Sequence, residues 1–219
     1  STPSNSSAAS DVYKRQTEAL TEFLEGLQGS GKFLFGSIVG GMAAFDFGGP
    51  VNKVASLFAD GLLLEGVQGP EAVKVLASMV PPFGVTISWV LSKIVRKRKY
   101  SKEEEDNIKI AFPMGLCMIT EGVIPIAAVD PLRVIFSCTV GAAIGGGLSM
   151  SWGVGSPVPS GGVFIIPAMT DPLKFTLALL IGSAITGILL FVLKKEPVEN
   201  EIKDDEEEEE VDFSSIKIS

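Results

Sequence analysis

The chain has 219 residues, of which 46% are apolar, and its mean hydropathy is +0.38. Its net charge is −8, but residues 196–219 hold eleven acids against Lys203 and Lys217, so this acidic tail carries −9 and the rest is close to neutral. That balance excludes a basic nucleic-acid-binding surface. Histidine is absent, and Cys117 and Cys138 lack the spacing of a zinc or redox site, so the sequence predicts no metal, no cofactor and two buried thiols.

The first part of the chain is polar and then becomes glycine-rich and apolar. Residues 1–29 are expected to be disordered, since residues 1–16 show no helical apolar stripe. The stretch 33–48 is apolar but short, and it predicts a short or tilted membrane segment. Residues 51–66 have apolar positions at helical spacing with polar residues between them, which predicts an amphipathic helix at the membrane interface.

Three later stretches predict membrane-spanning helices. They cover about 73–95, 132–150 and 173–193, and each is long and apolar enough to cross a bilayer. The second contains a stripe of small residues, as expected where membrane helices pack backbone to backbone. Its members are Gly141, Ala142, Gly145 and Ser149.

Basic residues indicate the orientation of these spans. Six of them follow the first span within residues 93–102, and Lys194 and Lys195 follow the last. Because positively charged loops stay on the cytoplasmic side, both loops are expected to be cytoplasmic. The spans 132–150 and 173–193 supply the two crossings that this requires, unless residues 156–170 also cross.

Glu121 is the one charged residue between Ile110 and Val129. Pro113, Gly115, Gly122 and Pro125 interrupt this run, so it cannot be a plain spanning helix. By the count of crossings it must enter and leave on the same side as a re-entrant hairpin, with Gly122 and Pro125 suited to its turn. Broken backbone at membrane depth must be buried in protein or line a water-filled cavity, and a carboxylate there indicates a ligand site.

Together these features predict an all-α integral membrane protein, a polytopic helical bundle with re-entrant hairpins and broken helices. Two classes of transporter remain open on the residues alone. One is a permease that binds a polar solute. The other is an ion-coupled secondary transporter or channel that uses Glu121 and Asp46 as proton or cation sites.

Three sequence blocks resemble the IIC component of the fructose-specific phosphoenolpyruvate:sugar phosphotransferase system (PTS). They are GGMAAFDFGGPVNKVA (residues 40–55), MITEGVIPIAAVDPLRVI (118–135) and VPSGGVFIIPAMTDPL (158–173). With the spans between them, the similarity covers about 30–195, in the order of the latter part of such a permease. Residues 1–29 and the acidic tail at 196–219, expected to be disordered, have no counterpart in the family.

The resemblance implies a phosphorylating sugar permease in the bacterial inner membrane, surrounded by lipid and usually dimeric. Fructose or a related hexose or hexitol would bind near the middle of the bilayer and receive phosphate from a phosphocysteine of the IIB domain. Neither that cysteine nor the phosphohistidine of the IIA domain is in this chain, so IIA and IIB are the expected partners. The C-terminal end would be cytoplasmic.

The resemblance also assigns the site residues. Glu121 would hydrogen-bond a sugar hydroxyl and take part of its proton as that hydroxyl attacks phosphorus, although it could instead cap the hairpin turn or pair with Arg133. Thr120 would position the same ligand, or bond its own backbone. Asp46 and Asn52 would contact sugar, or Asp46 would cap the following helix or neutralise Lys53.

The third block departs from the family pattern at Ser160, where a histidine is typical. With Gly161 and Gly162 it would bring backbone amides to sugar or phosphate, or simply form a turn. Asp130 and Asp171 each precede a proline and are expected to cap the helices that follow.

Overall fold

The computed structural model describes residues 5–197, and the regular structure in that range is helical. Three helices are long and apolar enough to cross a membrane, which confirms the three predicted spans and the all-α membrane fold. They are α4, α7 and α8. In chain order the helices are α1 (Asn5–Gly26), α2 (Ser30–Phe45), α3 (Pro50–Leu64), α4 (Gly69–Ile94), α5 (Lys102–Leu116), α6 (Ile124–Val129), α7 (Pro131–Ser151) and α8 (Pro172–Leu193), with 3-10 helices at Glu121–Val123 and Gly162–Ala168.

Small residues let α2, α7 and α8 approach one another at backbone distance. A β-carbon at Gly40 of α2 would lie 2.5 Å from the carbonyl oxygen of Ala142, and one at Gly182 of α8 would lie 2.8 Å from that of Gly141. We call this packing the glycine seam. It confirms the small-residue stripe predicted in α7. Its glycines are Gly36, Gly40, Gly141, Gly145, Gly146 and Gly182.

Helices α2 and α3 form a first hairpin, hairpin 1. Gly36 lies against Met150 and Gly40 against Ala142, so α2 runs antiparallel to α7 and ends about halfway along it. After the turn at 46–49, α3 returns to the start of α4, where Asp60 Oδ1 lies 2.5 Å from Lys74 Nζ. Residues 51–66 are therefore the returning arm of a hairpin packed on α2 and α4, and the prediction of an interfacial helix is wrong in this respect.

Helices α5 and α6 form hairpin 2, which enters from the opposite end of the bundle. Helix α5 begins beside the end of α8, where Glu104 pairs with Lys194 at 2.6 Å, and Gly115 near its end packs on Pro82 in the middle of α4. The chain then turns at 117–123 and α6 leads back to Asp130, which lines a cleft with Glu104 and Lys194. A hairpin is present as predicted, but it spans 102–129 instead of 110–129, and Pro125 lies in the first turn of α6, after the predicted turn.

Residues 152–171 form a third segment that enters the bundle and leaves again. Gly155 and Thr170 are bonded to each other by two hydrogen bonds, of 2.8 and 3.0 Å, and Ser156 N donates to Gln68 O at 3.1 Å. Both ends therefore lie at the start of α4. Between them Gly162 reaches Leu116 and Met118 at the turn of hairpin 2. Residues 156–170 do not cross, so the predicted count of crossings is confirmed.

The two basic loops lie at the same end of the bundle, as predicted from their charge. Lys99 Nζ donates to the carbonyl oxygen of Lys194 at 2.7 Å, and Lys194 Nζ lies 4.9 Å from the centre of the Tyr100 ring. Tyr100 is buried and donates to Ser88 Oγ at 2.7 Å, and burial raises its pKa. Lys194 is thus a buried partner of Glu104 as well as a mark of orientation.

Two local predictions need correction. Residues 5–26 are helical where a disordered segment was predicted, because Leu20, Leu24 and Leu27 form a stripe that packs on α2 and α3. Cys138 is buried as predicted, but Cys117 is exposed, since it lies in the turn of hairpin 2. The acidic tail lies outside the described residues except for Glu196 and Pro197.

The prolines and capping aspartates stand at helix starts. Pro131 and Pro172 occupy the first turns of α7 and α8. Asp171 accepts from Lys174 N at 3.0 Å, which confirms its predicted cap. The Asp130 side chain makes no cap hydrogen bond, since it binds Arg133 Nη1 at 2.9 and 3.1 Å.

Candidate functional site

Glu121 lies at the inner end of hairpin 2, where the 3-10 helix begins. Its side chain is exposed, and its carboxylate forms no hydrogen bond or ion pair with any residue in the range 5–197. Arg133, its predicted alternative partner, binds Asp130 instead. The carboxylate is therefore available to a ligand about halfway through the membrane bundle. Because an unpaired carboxylate is costly in apolar surroundings, we expect a polar ligand or water to meet it.

The inner ends of the two hairpins meet at this carboxylate. Gly48, in the turn of hairpin 1, has φ +93°, and a β-carbon on it would lie 2.6 Å from Glu121 Oε1 and 3.1 Å from Cδ. The two residues are 73 positions apart in the sequence. Because the hairpins enter from opposite ends of the bundle, only their turns can touch. The carboxylate thus lies against the backbone of hairpin 1.

The third segment packs on the other side of hairpin 2. A β-carbon at Gly162 would lie well inside van der Waals contact with Leu116 O, and 2.8 Å from Met118 N. Gly161 and Gly162 have φ +136° and +59°, conformations that favour glycine. The residue before them, Ser160, is exposed. The three blocks that carry the family resemblance therefore converge on the turn at 117–123.

Asp46 and Asn52 serve the fold of hairpin 1. The carboxylate of Asp46 accepts from Val51 N at 2.7 Å and from Asn52 N at 3.0 Å, which satisfies the free amides at the start of α3. The Asn52 amide donates to Ala43 O at 2.5 Å and ties α3 to α2. Asp46 therefore caps the following helix, the structural alternative stated above, and its contact with sugar stays a prediction.

Thr120 is buried beneath Glu121, with 4% of its surface exposed. Its carbonyl oxygen accepts from Val123 N at 3.0 Å and starts the 3-10 helix. This position supports the backbone that carries Glu121. A direct contact between the Thr120 side chain and a ligand stays a prediction.

Sequence reasoning missed Gly48. The pair of glycines before Pro50 indicates a turn, but nothing local to it indicates a partner in another hairpin. The available signal was the presence of two interrupted apolar segments, each with one carboxylate near its break. Such a pair of breaks points to a binding site in membrane transporters.

Comparisons with known proteins find relatives over about four fifths of the chain. The chain is 44% identical over 176 residues to the PTS system fructose-specific EIIC component of Haloferax volcanii, which covers 80% of this chain and 46% of that protein. It is 38% identical over 180 residues to the fructose permease IIC component of Bacillus amyloliquefaciens, a match that covers 82% of this chain and 57% of that protein. It is 40% identical over 185 residues to the PTS system fructose-specific EIIB'BC component of Escherichia coli K12, a match that covers 83% of this chain and 32% of that protein.

This stretch of sequence belongs to the fructose-specific EIIC family. The chain spans about half the length of the EIIC proteins it matches, and about a third of the EIIB'BC protein. No family model and no solved structure matches it.

Proposed function

We propose that this EIIC chain carries the sugar site of a phosphotransferase-system permease, which takes up fructose, or a related hexose or hexitol, and presents it for phosphorylation. The observation that carries the proposal is the free carboxylate of Glu121 where two hairpins and a third segment meet. A sugar offers several hydroxyl groups in a small volume, and a carboxylate accepts charge-assisted hydrogen bonds from them. The names of the relatives given above supply the class of sugar.

Glu121 also suits the chemistry of phosphoryl transfer. As a sugar hydroxyl oxygen bonds to phosphorus, the bond from phosphorus to the donor cysteine sulfur breaks, and the sulfur leaves as a thiolate. Glu121 would accept the proton that the hydroxyl loses. The donor phosphocysteine would belong to an EIIB domain, and the names of fused relatives, the EIIB'BC components, join EIIB with EIIC. Ser160 would offer a hydroxyl where a histidine is typical of the family.

The orientation follows from the basic loops. With residues 95–101 and 194–195 on the cytoplasmic side of the cell membrane, hairpin 2 opens toward the cytoplasm and hairpin 1 toward the outside. The EIIB domain would then approach from the end where hairpin 2 enters. Exposed apolar side chains on α8, such as Leu180 and Ile188, would face lipid or a second copy in a dimer.

Fructose uptake by the protein that contains this chain tests the proposal. In cells without their own fructose permease, we expect uptake that depends on phosphoenolpyruvate and on the phosphoryl-transfer proteins. Glu121→Gln keeps the size of the side chain and removes its charge, so phosphorylation should fall about 100-fold or more. Glu65→Gln, at an exposed glutamate after α3, should leave it unchanged.

Membrane insertion and melting temperature should be the same in both variants, since the Glu121 carboxylate makes no hydrogen bond or ion pair within the described range. Uptake that is driven by a proton gradient without phosphoenolpyruvate would instead identify an ion-coupled transporter. Wild-type phosphorylation by the Glu121→Gln variant would remove Glu121 from the site.

A further inference from the structure

Gly48 holds a position that only a residue without a side chain can occupy while Glu121 stays where it is. A β-carbon at Gly48 would meet three atoms of one side chain, at 2.6 Å from Oε1, 3.1 Å from Cδ and 3.5 Å from Cγ of Glu121. The end of the glutamate side chain therefore lies flat on the backbone of hairpin 1. Its carboxylate is positioned by two hairpins, although it belongs to one.

The neighbour that Gly48 meets is able to move. Glu121 is exposed and its carboxylate makes no hydrogen bond or ion pair among the described residues, and a glutamate side chain rotates about three bonds. Gly162 differs, because its β-carbon would meet backbone atoms of residues 116 and 118. An added methyl group at Gly48 would thus displace the carboxylate, whereas one at Gly162 would displace the chain itself.

We propose that Gly48 is a positioning residue for Glu121, and that its missing side chain sets where the carboxylate meets the sugar. This inference rests on the proposed function. It predicts that a side chain at position 48 impairs sugar recognition while the bundle remains folded. A misplacement of a catalytic group by about 1 Å can lower a rate about 100-fold, so a small displacement suffices.

The kinetic test compares Gly48→Ala with Gly66→Ala in the full-length protein. The two glycines flank α3, at φ +93° and +86°, so alanine strains the backbone similarly at both. No atom lies within 4 Å of a β-carbon at Gly66. We expect Gly48→Ala to raise the KM for fructose by roughly tenfold or more, and Gly66→Ala to leave it unchanged, with similar falls in melting temperature. A merely structural role would reduce the amount of active protein and leave the KM unaltered.

A rescue variant separates displacement of the carboxylate from other effects of the alanine. Glu121→Asp shortens the side chain by one methylene, about 1.5 Å, which makes room for a methyl group at position 48. Gly48→Ala should therefore impair the Glu121→Asp protein much less than it impairs the wild type. If Gly48→Ala raises the KM by the same factor in the Glu121→Asp protein as in the wild type, the two substitutions act independently and the inference is overturned.

A cross-linking experiment tests the contact without relying on transport. In a protein with Cys117→Ser and Cys138→Ala, the pair Gly48→Cys and Glu121→Cys should form a disulfide on mild oxidation, and the pair Gly66→Cys and Glu121→Cys should not. Failure of the first pair, or equal kinetics of the two alanine variants, overturns the role of Gly48 even if fructose uptake is normal. A wild type without phosphoenolpyruvate-dependent uptake overturns the proposed function, whatever the cross-link shows.

Discussion

The glycine seam and the meeting point of the hairpins are both rich in glycine, yet the glycines do different things. In the seam, a β-carbon at Gly40 would strike the carbonyl oxygen of Ala142, which is fixed within α7. At the hairpin turns, a β-carbon at Gly48 would strike the carboxylate of Glu121, which stands at the end of a rotatable side chain. What a glycine contributes thus depends on its neighbour. We expect substitution to cost stability where the neighbour is backbone, and activity where it is the side chain proposed to bind sugar.

The two regions also treat charge differently. Glu71 is fully buried at the start of α4 and is paired with Lys74, which also binds Asp60 of α3. This ion cluster fixes the outer end of hairpin 1 to the spanning helices. Glu121, at the inner ends of the hairpins, has no such partner in the described chain. The paired charges therefore hold the scaffold, and the unpaired Glu121 is the proposed ligand for sugar.

The largest effect is expected when the buried ion cluster around Lys74 is disrupted. Lys74→Met leaves two carboxylates unpaired, one of them buried, and should lower the free energy of unfolding by about 3–5 kcal/mol. Lys109→Met removes the same kind of side chain three residues after Asp106, but that pair is exposed on α5. It should leave the melting temperature of the purified protein unchanged. Equal melting temperatures for the two variants would mean that the buried cluster does not stabilise the scaffold.

Adjacent glycines in α2 test the seam itself. Gly40→Ala places a methyl group against Ala142 O and should destabilise the protein by about 1–3 kcal/mol. At Gly41 the nearest atoms would be 3.6 and 3.7 Å away, at ordinary contact distance. Gly41→Ala should therefore leave stability unchanged or raise it by up to about 1 kcal/mol, as alanine favours helix.

The KM for fructose provides the check on this comparison. Neither seam variant should change it, because the seam touches no residue of the candidate site. A raised KM in Gly40→Ala protein would break the distinction between the two regions.

A smaller effect is expected at the second carboxylate near the hairpin turns. Asp46→Ala removes both carboxylate oxygens, each of which accepts from one backbone amide, and should lower stability by about 1 kcal/mol. Asp46→Asn keeps one of the two acceptor oxygens and places an NH₂ group against the other amide, so its melting temperature should lie between those of the wild type and the alanine variant. Fructose phosphorylation should survive in the asparagine variant. Its loss in protein that is folded at the assay temperature would move Asp46 from the scaffold to the sugar site.

Much of the fold could be predicted because its signals are local. Long apolar runs gave the three spans, prolines and glycines marked the broken run at 110–129, and basic residues identified the loops that share one end. The prediction of disorder is wrong for α1, because it rested on the polar residues 1–16 and the leucine stripe lies at 20–27. It also failed for α3, because amphipathic periodicity is the same for a helix on a surface and for one packed in a hairpin.

Composition and spacing along the chain are enough to predict that it enters a membrane, that its apolar runs are interrupted at particular residues, and that Glu121 is the one charge in one of these runs. Three contacts became visible in the folded protein: Asp46 accepts from backbone amides of its own hairpin, Arg133 binds Asp130, and Gly48 faces Glu121. Those contacts depend on how deeply each hairpin enters the bundle and on which turns meet. Packing between segments that are far apart in the chain produces no periodic pattern in the sequence of either segment.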